Sequence, residues 1–262
     1  MTNQLSPYVK EYFKHDKAAS TWWNVDHLPR YSEQAKWMVK NINFRGKCVL
    51  DLGVGKGRFS IAAAKCGAKS ILAVDISKQM IREAKNKAYE MGVGDKIVFV
   101  EGDIEEFASK QKFDCIILME VLVHLPNPGL VVQNAYHLLN HGGVLVTNID
   151  SPLAGTRLFQ HFHSFLRILY NATPKSFRNV LHEKRGWPLY IEKKIILDTT
   201  ENTLKQLNQE GALCSRAYDA YRVILYGELK NYLKRNHFMI TNVKREYYFG
   251  IPLGHILICT KH

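Results

Sequence analysis

From Lys47 to Asp150, short continuous apolar runs alternate with amphipathic stretches. Residues 47–53 (KCVLDLG) read as a buried strand followed by a glycine-rich turn. Residues 58–67 (RFSIAAAKCG) read as a helix, with Gly67 where a C′ glycine would stop it. A second strand at 71–76 (ILAVDI) leads into a helix over 78–92, with Ser77 as its N-cap. Strands at 96–103 and 113–120, a helix over 128–143 closed by a double glycine, and a strand at 144–150 complete the run. Continuous apolar strands separated by helices predict a parallel sheet covered on both faces. After Asp150 the rhythm breaks. The stretch 158–170 places Leu158, Phe162, Phe165, Leu166 and Leu169 on one helical face, and 173–188 is a further helical or irregular piece stopped by Gly186 and Pro188. Regular order returns with a helix over 217–238 and two strands, 240–250 and 254–261, expected to close the sheet as an antiparallel pair.

The expected architecture is therefore α/β, a Rossmann-like, seven-stranded sheet that is parallel apart from one antiparallel strand, with a helical insertion. Four parts follow: an N-terminal helical segment (1–46), a core (47–150), an inserted cap (151–216), and a C-terminal helix with closing strands (217–262). A chain of 262 residues with 46% hydrophobic and 23% charged residues has the composition of an ordinary globular protein. No run approaches the roughly 20 apolar residues of a membrane span. Met1 to Asp16 is polar and charged, so no secretory signal is expected. Cys48, Cys66, Cys115, Cys214 and Cys259 are scattered without CxxC spacing and read as reduced thiols of a cytoplasmic protein. The net charge of +12 is uneven: residues 151–262 hold 17 lysines and arginines against 8 acids. Such a surface suits an acidic substrate, an anionic membrane or nucleic acid, or is simply a solvated basic face.

The chemistry concentrates at Asp51-Leu-Gly53-Val-Gly55-Lys-Gly57, between a strand and a helix. Glycines at such a turn let the backbone approach a bound nucleoside, and the helix N-terminus offers free N–H groups. A dinucleotide site of the GxGxxG type would need its third glycine at position 58, which is Arg58. Asp75 ends the second strand, 22 residues after Gly53, where a carboxylate can accept from both ribose hydroxyls; Ile76 follows it. Asp103 ends the third strand, placed to accept from an adenine amine with the Ile104 N–H facing the ring. The fourth strand ends in Met119-Glu120. Three acids at successive strand ends fit the crevice at the carboxyl edge of a parallel sheet; helix N-caps are the plainer alternative.

This stretch resembles the class I methyltransferases that use S-adenosylmethionine (SAM). AASTWWN (18–24), VLDLGVGKG (49–57) and FDCIILMEVLVHLPNP (113–128) are similar to the ubiquinone-pathway phenol O-methyltransferases. The resemblance implies cofactor contacts at the positions of Gly53, Asp75 and Met119, and from an arginine before the first strand, for which Arg30 is the nearest candidate. That family's Glu-x-x-Glu-His motif is proposed to hold a divalent metal. Here Glu120 and His124 stand, but Val123 replaces the middle acid, and a hard cation wants about six oxygens. No metal is expected.

His124, just past the fourth strand, is the candidate general base: an imidazole of pKa about 6.5 can take a proton from a phenol or an ammonium. A loop histidine bonded to backbone is the alternative. Trp23, with Trp22, Tyr8, Tyr12, Phe13 and Tyr31, makes an aromatic N-terminal segment that either closes over the cofactor as a lid or anchors a helix. The 158–170 helix, with Arg157, His161 and Arg167 beside it, either caps an acceptor pocket or touches an anionic membrane. The expected acceptor is a small molecule, methylated on O or N, aromatic, lipid-associated or anionic. Two other readings stay open: an RNA or protein methyltransferase, although no RNA-binding module is recognisable and nucleic acid is not the expected partner, and a non-catalytic SAM-binding protein. The oligomeric state is not legible.

Overall fold

The computed structural model describes residues 29–150, 226–248 and 251–261. Its inner strands β1 and β4 are apolar apart from one aspartate each, Asp51 and Asp114, because helices cover both faces of the sheet. In β1 (Cys48–Leu52), Val49 faces one layer while Leu50 and Leu52 face the other. β4 (Phe113–Leu118) does the same with Ile117 against Ile116 and Leu118. This is the two-residue period of a strand expressed inside a fully covered sheet.

The remaining strands are β2 (Ser70–Asp75), β3 (Ile97–Glu101), β5 (Leu139–Asp150), β6 (Phe238–Tyr248) and β7 (Ile251–Lys261). They form one seven-stranded sheet in the order β3-β2-β1-β4-β5-β7-β6, with β7 antiparallel to β5 and β6. The chain runs outward from β1 to β3, then returns to place β4 on the other side of β1. A crevice opens at that reversal, outside the carboxyl ends of the strands.

The helices are α1 (Pro29–Asn41), α2 (Arg58–Lys65), α3 (Lys78–Glu90), α4 (Pro128–Leu138) and α5 (Tyr226–Arg235). Met38 of α1, Ala63 and Ala64 of α2, and Ala84 and Ala88 of α3 pack on one face of the sheet with Phe44, Ile71 and Ile256. Val131, Val132 and Ala135 of α4 and Leu229 and Leu233 of α5 cover the other. Each large aliphatic side chain so buried contributes roughly 1.5–3 kcal/mol. Ser77 caps α3 by accepting from the Met80 N–H, and Gly67 follows the Cys66 C-cap of α2 with φ +89°, both as the sequence predicts.

One boundary moves. The helix expected over 128–143 stops at Leu138, and β5 begins at Leu139, well before the expected 144. Leu139 pairs with Phe113, and the register then shifts so that Cys115 meets Val144. The irregularity at 140–143, with Gly142 at φ +71°, absorbs what the sequence presents as a helix end. The Lys112 and Lys261 ammonium groups donate to the carbonyls of His137, Tyr136 and Leu139, satisfying the helix terminus. The N-terminal aromatics through Trp23 and the whole 151–216 insertion lie outside the described residues, as does the start of the helix expected over 217–238. Among the described residues no helix is long and apolar enough to cross a membrane.

Candidate active site

The glycine loop bridges β1 and α2. Two of its glycines are required by conformation and by space. Gly53 has φ +82°, and a Cβ there would lie 2.4 Å from Cγ2 of Val121, in the loop after β4. Gly57 is the N-cap of α2 at φ +79°, and a Cβ on it would meet the Ala84 Cβ of α3 at 3.2 Å. The close helix packing that a dinucleotide fold obtains from a glycine at position 58 is thus supplied here by Gly57, leaving Arg58 free to start the helix. Gly57 offers no side chain to cap α2, while within the first turn the Ser60 N–H is partnered by the Asp51 carboxylate.

Asp75 is the last residue of β2, as expected. Its Oδ2 accepts from the Gly55 N–H at 2.8 Å and its Oδ1 from the Ser77 N–H at 2.9 Å, so one carboxylate sets both the glycine loop and the start of α3. Burial raises its pKa, and the backbone N–H groups of Ser77 and Gly55 pull it back. β3 stops at Glu101, two residues short of the expected Asp103. The ladder nonetheless runs one bond further, since the Gly102 N–H donates to the Asp75 carbonyl at 2.9 Å. Asp103 therefore sits on the rim beside Asp75, half-buried, its Oδ1 accepting from the Glu105 N–H at 2.9 Å; Ile104 is buried behind it. Glu105 in turn accepts from the Asn127 N–H at 2.8 Å and ties this loop to the start of α4.

Asp51 differs from the rim acids. It lies inside β1, buried, and accepts from the Ser60 hydroxyl of α2 at 2.6 Å. Desolvation pushes its pKa up to about 7 against the pull of that hydroxyl, with the Asp75 charge adding to the rise. Its carboxyl is bonded to the first turn of α2 and so supports the loop from beneath.

On the other side of β1, Met119 is buried and Glu120 follows with φ +60°, an unusual backbone for a non-glycine residue. That conformation is held by a polar network absent from the sequence reading. The Glu120 N–H donates to Asn148 Oδ1 at 2.6 Å, and Asn148 Nδ2 donates to Glu120 Oε1 at 2.5 Å. Gln34 Nε2, from α1, donates to Glu120 Oε1 at 2.8 Å and to Glu246 Oε2 at 3.0 Å. Gln34 carried one signal in the sequence: it is a polar residue on the stripe that Ala35, Met38 and Ile42 bury. His124 closes the short 3-10 turn Leu122–His124 and is half-buried. The structure thus brings Gly53, Gly55, Gly57, Asp75, Ile76, Asp103, Ile104, Met119 and Glu120 to one rim, with His124 a turn beyond. Arg30 lies on α1, but its side chain, like Trp23, is outside what is described. Among the described residues no three His, Cys, Asp or Glu side chains are grouped to hold a metal ion.

A sheet in this strand order, with a glycine loop after β1 and acids at the tips of its neighbours, is the class I methyltransferase fold. Residues 43–231 match the model of the methyltransferase-domain family, and the chain belongs to that family. The ubiquinone biosynthesis O-methyltransferase of Coxiella burnetii (strain Dugway 5J108-111) is 36% identical over 143 residues, 52% of this chain and 59% of that protein. The chain thus spans less than two thirds of that relative. The magnesium protoporphyrin IX methyltransferase of Synechocystis PCC 6803, solved with S-adenosylhomocysteine (SAH), superposes with a TM-score of 0.61 at 19% identity, covering 97% of this chain and 98% of that one. The N-methyltransferase NodS of Bradyrhizobium japonicum WM9, also with SAH, gives 0.59 at 13%, again covering 97% and 98%. At these identities the two structures speak to the fold.

Proposed function

We propose that the chain is a SAM-dependent methyltransferase acting on an oxygen or nitrogen of a small molecule. The observation that carries this is the continuous rim from Gly53 through Asp75 to Asp103. A loop held in left-handed conformations, an uncapped helix start and two neighbouring carboxylates fit an adenosine with free ribose hydroxyls.

SAM supplies an electrophilic methyl group on a sulfonium whose leaving group is a neutral thioether. The protein's task is then to hold the acceptor in line and to exclude water. Asp75 would hold the ribose and Asp103 with Ile104 the adenine. Met119 and Glu120 would line the methionine side, and Asp51 would hold the loop from below. His124 is the base we assign for acceptors that must lose a proton. The aromatic N-terminal segment, with Trp23, is the lid, Arg30 assists the cofactor, and 151–216 is the acceptor cap, whose basic residues favour an anionic or lipid-associated molecule and contact with an anionic membrane. A cytoplasmic location accords with this assignment.

Calorimetry with SAH, NAD and FAD tests it. SAH is expected to bind and the other two to be ignored; uptake of NAD or FAD with no response to SAH would overturn the assignment. Transfer of label from SAM to a small molecule separates an enzyme from a non-catalytic binder. Salt-dependent RNA binding would favour a nucleic-acid substrate instead.

A further inference from the structure

Where β5, β7 and β6 meet α5, a second group of side chains lies outside the cofactor rim. His255 of β7 stands opposite Ile149 near the end of β5 and opposite Arg245 on β6. Ile149, Leu257 and Cys259 belong to the sheet face that α5 covers, and by the two-residue period so do His255 and Arg245. The His255 ring stacks on Tyr226 of α5, with centroids 4.3 Å apart and planes at 16°. Lys230, one turn along α5, holds its ammonium 5.3 Å from the centroid of the same tyrosine. The charge here is not balanced. Among the described residues Arg245 and Lys230, both exposed, form no ion pair, and the half-buried His255 ring makes no hydrogen bond. The acids nearby are engaged elsewhere: Glu246 accepts from Gln34 on the opposite face of the sheet, and Glu228 accepts from the Tyr232 hydroxyl. Burial and then the Arg245 charge hold the His255 imidazole below its ordinary pKa, with Glu246 pulling the other way. Near neutral pH the ring is therefore uncharged and keeps one N–H to donate. An anion would pair with the two cations and accept from that N–H, whereas a cation would be repelled and a neutral group would leave the charges unbalanced. β7 lies two strands from β4, so the cluster stands roughly 10 Å across the sheet from the Met119–Glu120 tip.

We propose that Arg245, Lys230 and His255, arranged around Tyr226, form a subsite for a carboxylate or phosphate on the methyl acceptor, remote from the atom that is methylated. This rests on the methyltransferase assignment above and narrows its substrate class to acceptors with an anionic end. The Arg245 guanidinium offers a fork of N–H donors to two oxygens of the anion, His255 gives one further N–H, and Lys230 adds a point charge. Fixing the far end of the acceptor restricts its freedom and sets the reacting atom toward the tip of β4.

The test uses the full chain loaded with SAH, titrated with 5-phenylpentanoate, 5-phenylpentan-1-ol and 5-phenylpentylamine. In parallel, labelled SAM is offered with amines and phenols supplied in pairs, each as a free carboxylate and as its methyl ester. The acid is expected to bind about tenfold more tightly than the alcohol, with the amine weakest, and the difference to shrink as salt is raised. The carboxylate member of each pair should take the label in preference to its ester. Arg245→Gln and Lys230→Gln alter exposed side chains and leave the core intact. Each should reduce the preference for the acid, and the two together should erase it, with the loss read in KM rather than kcat and SAH affinity unchanged. Equal binding of the three probes, no binding of any, or a preference that survives the double variant would overturn the subsite. Binding to phosphatidylglycerol vesicles that both substitutions abolish, with the soluble acid ignored, would make the cluster a membrane contact and overturn it too. If SAH itself does not bind, the methyltransferase assignment falls; SAH binding without a preference for the acid removes only the subsite.

Discussion

Replacing Gly53 by alanine separates two demands that the glycine loop meets at once. At φ +82° an L-residue is strained by roughly 1–2 kcal/mol. The added Cβ would also lie 2.4 Å from Cγ2 of Val121, and Val121 cannot step aside easily, because a β-branched side chain has few χ1 options. Such overpacking adds about 1–3 kcal/mol. Gly53→Ala should therefore destabilise the fold by roughly 2–5 kcal/mol and weaken SAH binding, because the loop and the Glu120 turn are pushed apart. Val121→Ala removes the clash but leaves the backbone strain. Denaturant unfolding of the wild type, both single variants and the double variant completes the cycle. A coupling energy of about 1–3 kcal/mol in favour of the double variant is expected. Single effects that add to within about 0.5 kcal/mol would show that Val121 does not press on the loop, and the steric account of Gly53 would fail.

Three further outcomes follow from the site. Asp75→Ala removes an acceptor shared by Gly55 and Ser77 and, with it, the carboxylate we assign to the ribose, so SAH affinity should fall roughly 5- to 150-fold with the fold retained; calorimetry giving wild-type affinity would contradict this. The Asp51 pKa of about 7 lies above its unfolded value, so the folded state holds an extra proton between pH of about 4 and 7, and stability falls as pH rises through that window. Asp51→Asn abolishes that slope and should gain up to about 4 kcal/mol relative to wild type across the same range; parallel unfolding-versus-pH curves would refute it. His124→Gln should lower turnover and flatten its pH dependence between about pH 6 and 9 without changing SAH affinity, and an unchanged rate profile would remove the base role.

The local chemistry of this protein was written in its sequence. Strand cores, the Ser77 cap, the Gly67 stop and the glycine turn are fixed by residues a few positions apart, so periodicity and spacing revealed them. The positions of Asp75 and Asp103 at strand tips were legible for the same reason: Asp75 ends β2, Asp103 lies just past β3, and parallel strands end at one edge. What the tertiary structure alone decided depends on neighbours distant in sequence. Asp51 and Asp75 read alike as strand aspartates, but β1 is covered from both sides by its position in the middle of the sheet, so Asp51 turns inward to Ser60 while Asp75 reaches the rim. The helix over 128–138 ends where it does because Leu139 must pair with Phe113. Gln34 meets Glu120 and Glu246 across 86 and 212 positions, and only the packing of α1 over the strand tips brings them within hydrogen-bond reach. Sequence patterns carry the preferences of a segment; which buried polar groups share a partner is settled by the whole fold, because each must find its hydrogen bond wherever the packing leaves one.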